Sequence, residues 1–77
     1  MRFVKSLVDF LKSKLFGDFE DGILVFTNAT ETLVVKVASL ADTIVVELSY
    51  QDNGDVYVVE NQDDVDDIKA RINEYLG

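Results

Sequence analysis

Cysteine, histidine and proline are all missing from this chain of 77 residues. Without cysteine no disulfide can staple the fold. Without cysteine or histidine, zinc and iron–sulfur clusters lack their usual ligands. General acid–base chemistry is left to carboxylates alone. Glycine is scarce: the four glycines are scattered at turns and ends, so no glycine-rich loop can cradle a phosphate. Long apolar runs are also missing. The longest, such as residues 22–26 and 33–35, fall far short of the roughly 18–20 residues that span a bilayer. Charged residues interrupt the apolar positions near the N-terminus at helical spacing, which is not the core of a signal peptide.

What is present is a composition 48% hydrophobic and 29% charged, which is that of a globular chain. A single small core supplies a net stability of only roughly 3–5 kcal/mol. One domain over residues 1–77 is expected, soluble and cytoplasmic, in the host cytoplasm if the chain is viral. Lack of cysteine is compatible with a reducing compartment.

The charges are sorted along the chain. Arg2, Lys5, Lys12 and Lys14 face a single acid, Asp9, within residues 1–16. Residues 17–67 hold thirteen acids and one base, Lys36. The net charge is −8. Such asymmetry speaks to partners and solubility rather than to fold.

Residues 3–16 read as an amphipathic helix with Phe3, Leu7, Phe10, Leu11 and Leu15 on its apolar stripe. Gly17 is the expected C-terminal stop, and residues 18–22 read as a polar loop in which Phe19 tucks back. Four strands are expected at residues 23–28, 31–39, 43–51 and 56–60, joined by links too short for parallel crossovers. Asn53-Gly54 is the hairpin signal for the last pair. Two registers compete there. A two-residue turn sets Tyr50 against Tyr57 and Leu48 against Val59. A three-residue turn sets Tyr50 against Val56 and Leu48 against Val58. The first is preferred for its aromatic pair, although it puts Glu47 opposite Glu60. Residues 63–76 read as a second helix, capped by Asn61 or Asp63, with Asp67 and Arg71 as an i,i+4 pair. The expected fold is α+β: a four-stranded antiparallel β-meander with N- and C-terminal helices packed on one face, in the order α-β-β-β-β-α.

Each motif has a plain reading beside a functional one. Glu47 and Glu60 are two solvated acids before they are a catalytic pair, since a perturbed carboxylate needs a cleft. Residues 52–55 resemble part of a calcium loop but lack its length and its terminal glutamate, so the turn explains them. Asn28-Ala29-Thr30 fits a glycosylation pattern, but without a signal sequence it reads as a turn, for which Asn is a good residue. The basic first helix suits an anionic membrane surface, yet the same stripe is what a sheet-covering helix needs. No catalytic residue, metal site or cofactor is expected.

The acids that remain are Glu47, Asp52, Asp55, Glu60, Asp63, Asp64, Asp66 and Asp67, around the last hairpin and the start of the second helix. One reading is solubility alone. The sharper reading makes these eight the partner-binding residues, facing a basic protein surface and taking the place of nucleic-acid phosphates, with no direct nucleic-acid binding and no membrane span. The alternative is a homodimeric or assembly subunit that buries an edge or its open sheet face through Val34, Val45, Val56 and Val58.

From Thr43 through the Asn53-Gly54 hairpin and the acid-led helix to Leu76, the chain resembles small acidic phage proteins that inhibit host defence, including anti-CRISPR inhibitors of type II effectors. The likeness is one of layout, size and charge and covers less than half the chain. It implies an inhibitor without enzymatic activity whose acids occupy a DNA-binding site on the target. The basic first helix and the fourth strand depart from that pattern.

Overall fold

The computed structural model describes residues 2–77. The side chain of Arg2, one of the cations expected on the first helix, lies outside what is described. The order is α1 (Arg2–Lys14), β1 (Phe16–Glu20), β2 (Ile23–Thr27), β3 (Leu33–Leu40), β4 (Thr43–Tyr50), β5 (Asn53–Val59) and α2 (Gln62–Leu76). The sheet is an antiparallel meander in the order β1-β2-β3-β4-β5. The α+β class and the terminal helices agree with the sequence reading. The strand number does not: the described residues form five strands, not four.

The extra strand is β1, within the segment read as a helix stop and loop. Asp21 and Gly22 both take left-handed backbone conformations, with φ of 51° and 80°. That geometry suits the twist of a two-residue hairpin and folds residues 16–20 back along β2. Gly17 therefore does not terminate α1. It lies inside β1, opposite Phe26. Nor does Phe19 tuck back: it is 66% exposed on the edge strand.

One face of the sheet carries Phe26, Leu33, Val35, Val37, Ile44, Val46, Leu48 and Val59, all buried. Both helices pack there, through Leu7, Leu11 and Leu15 of α1 and Val65, Ile68 and Ile72 of α2. Their 3.6-residue stripes meet the two-residue period of the strands, which closes the core. Phe3, Val4, Val8 and Phe10 half-bury around it. Lys69 joins the helices. Its ammonium donates to Ser6 Oγ at 2.7 Å and stands 5.7 Å from the centre of the Phe10 ring.

Neither expected register forms in the last hairpin. Its two turn residues are Gln51 and Asp52, and Asn53-Gly54 lies inside β5 with Gly54 opposite Ser49. Val46 faces Tyr57, Ile44 faces Val59 and Glu47 faces Val56. The preferred register would have set Glu47 against Glu60 and Asp52 against Asp55. The observed one avoids both like-charge rungs and lets β5 run the length of β4. The offset is an even number of residues, so Tyr57 and Val59 still point at the helices and Val56 and Val58 still point away. Tyr50, freed from Tyr57, stacks on Tyr75 of α2 with ring centroids 4.4 Å apart and planes 8° from parallel.

Candidate functional site

The register decides which acids are neighbours. Glu60 leaves β5 beside the β3–β4 turn, because Leu40 pairs with Thr43 and Ile44 with Val59. Asp42 sits in that turn. Phe3, Asp42, Thr43, Val58, Val59 and Glu60 together line an open hollow of about 480 Å³. α2 begins at the same end, bringing Asp63, Asp64, Asp66 and Asp67. The β1–β2 turn also lies there, since Leu24 pairs with Val37, and it adds Glu20 and Asp21. Glu20, Asp21, Asp42, Glu60, Asp63, Asp66 and Asp67 are all exposed.

The eight expected partner-binding residues are thus not one patch. Glu60, Asp63, Asp64, Asp66 and Asp67 share the end just described. Asp52 lies at the opposite end of the sheet, in the β4–β5 turn. The seven residues of β5 separate it from Glu60, and eight steps along the strand span roughly 26 Å at about 3.3 Å per residue. Asp55 stands opposite Leu48 near that far end. Glu47 stands in the middle of the uncovered sheet face, opposite Lys36 on β3. Glu20, Asp21 and Asp42 were missing from the expected set. Asp21-Gly22 was a hairpin signal in plain sight, whereas Asp42 joins Glu60 only once the register is known.

Asp64 has a structural task. Asn61 caps α2: its Oδ1 accepts the Asp64 N–H at 3.1 Å. Asp64 Oδ2 accepts the N–H groups of Glu60 at 2.8 Å and Asn61 at 3.3 Å. This reciprocal box satisfies backbone donors left open at the helix start. Asp66 accepts from Gln62 Nε2 at 3.0 Å. The expected Asp67–Arg71 pair is replaced by Arg71 with Glu74, at 3.4 Å.

Among the described residues no charged side chain is buried, and no three acids converge closely enough to hold a metal ion. No described helix is long and apolar enough to cross a membrane. Asn28 works as a turn residue: its Oδ1 accepts the Leu33 N–H at 3.1 Å, and its carbonyl accepts from Glu31. The arrangement at the α2 end suits recognition of positive charge by contact. Compared with protein-family models, with curated proteins and with solved structures, the chain matches none.

A second surface is the sheet face that the helices leave open. Val56 is 68% exposed there and Val58 49%. Val34 and Val45 are half-buried on the same face.

Proposed function

We propose that the chain is a non-enzymatic interaction module whose acidic end, at the start of α2, binds a basic surface of another protein. The observation that carries this reading is convergence. Two hairpin turns, the end of β5 and the start of α2 deliver Glu20, Asp21, Asp42, Glu60, Asp63, Asp66 and Asp67 to one end of the sheet. Solubility requires scattered charge, not convergent charge. In its sharpest form the target surface is one that binds nucleic acid, and the carboxylates stand where phosphates would, as in the phage inhibitors the sequence resembles. A site of this kind gains speed of encounter from long-range attraction and weakens as salt screens it.

The test is capture. The immobilised chain is exposed to an extract of the cells that express it, with and without double-stranded DNA as competitor. A parallel variant carries Glu60→Gln, Asp63→Asn, Asp66→Asn and Asp67→Asn but keeps Asp64 for the cap. The expected result is a basic protein held by the natural chain, displaced by DNA, and not held by the variant. Equal capture by both chains removes the proposal.

A further inference from the structure

We infer that the open sheet face is a self-complementary surface, and that a second copy of this chain docks on it about a two-fold axis running along the strands between β3 and β4. The inference rests on the open face and is independent of the acidic end.

Alternation along each strand and the four registers fix the outward pattern. One rung across the sheet reads Asp18, Val25, Lys36, Glu47, Val56 from β1 to β5. The next reads Glu20, Ile23, Ala38, Val45, Val58. From β2 to β5 these rungs are Val-Lys-Glu-Val and Ile-Ala-Val-Val. The first reads the same in either direction once its central charges are exchanged, and the second is apolar throughout. Between β2 and β5, Lys36 and Glu47 are the only charges pointing outward from the strands. Among the described residues neither takes part in an ion pair.

A two-fold along the strands brings β3 over β4 of the second copy and β2 over β5. Lys36 then faces Glu47 of the second copy, and Glu47 faces Lys36, so two ion pairs form. Val25 meets Val56, Ile23 meets Val58 and Ala38 meets Val45. Asp18 and Glu20 on β1 fall outside the overlap and keep their water. A two-fold across the strands fails this pattern: it sets each strand on its own copy, and no position of it brings Lys36 over Glu47. Sheets stack face to face about 10 Å apart, a gap that Lys and Glu side chains span together. The overlap of four strands is near the lower limit of a specific interface, roughly 1,000 Å² in total. The dimer therefore dissociates on dilution. An axis along the strands also leaves both acidic ends on the same side of the assembly.

The test uses charge reversal and sedimentation, with circular dichroism confirming that each variant is folded. The natural chain shows a concentration-dependent monomer–dimer equilibrium. Lys36→Glu sets acid on acid and Glu47→Lys sets base on base, so each alone sediments as monomer. An equimolar mixture of the two recovers dimer, because every central contact is again an opposite pair. The double variant Lys36→Glu/Glu47→Lys also dimerises. A natural chain that stays monomeric at every concentration overturns the inference. So do single reversals that dimerise like the natural chain, or a mixture that fails to recover dimer.

Discussion

Gly17 lies against the ring of Phe26: a Cβ added to Gly17 would stand 2.7 Å from Phe26 Cε1. Phe26 is 1% exposed in the core, so its ring cannot swing away freely. Gly17→Ala must therefore push a buried ring. Overpacking of this kind costs about 1–3 kcal/mol. Relief from glycine's backbone entropy offsets about 0.5–1 kcal/mol of it. Urea unfolding of Gly17→Ala shows a net loss of stability. Adding Phe26→Leu to that variant costs less than the same change made in the natural chain.

The β3–β4 turn stores strain that can be removed. Ala41 and Asp42 both hold left-handed backbone, with φ of 46° and 69°. Residues with a Cβ pay about 1 kcal/mol or more for this conformation, and Asn-Gly is the pair that suits it. Ala41→Asn with Asp42→Gly raises stability by about 1 kcal/mol, read as a higher urea midpoint with an unchanged slope.

The acids of α2 divide by task. Asn61→Ala and Asp64→Ala each remove half of the capping box and cost about 1 kcal/mol. Asp67→Asn touches no cap and shifts stability by no more than about 0.5 kcal/mol. Thermal melts of the three variants separate the structural acid from the displayed one.

Lys5 and Asp9 meet at 2.8 Å on the exposed side of α1. The hydrogen bond from Lys5, with its charge, holds the Asp9 carboxyl below its ordinary value of 3.8. The same contact raises Lys5 above 10.5. Asp9 thus adds stability that is present above the ordinary carboxylate value and is lost as pH falls through its lowered one. Lys5 adds stability that is lost as pH rises through its raised value. Carboxyl titration followed by NMR shows the low Asp9 midpoint, and Lys5→Ala returns it to the ordinary range.

The parts of the fold legible in the sequence were those with a clean period. Leu7, Leu11 and Leu15, the alternation of β3 and β4, and Val65, Ile68 and Ile72 all read correctly, because one face of each element is buried and the other wet. β1 was hidden because Phe16-Gly-Asp-Phe-Glu20 shows no alternation, and every one of its residues is exposed. Gly17 looked like a helix stop, yet its task is to make room for Phe26. The last hairpin misled for a different reason. Asn53-Gly54 favours a turn locally, but two like-charge rungs and the pairing of Ile44 with Val59 favoured the turn at Gln51-Asp52. The acidic end was half legible: Glu60 and the α2 acids lie close in sequence, while Asp21 and Asp42 arrive only through strand pairing. Asp52, Asp55 and Glu47 were grouped with them by sequence proximity, which an extended strand turns into distance.

The most direct measurement of the acidic end is the affinity of the captured partner for the natural chain and for the four-amide variant as salt is raised. The account predicts affinity that falls steeply with salt for the natural chain. The variant binds at least about tenfold more weakly and responds less to salt. An affinity indifferent to salt, or one the variant retains in full, contradicts it.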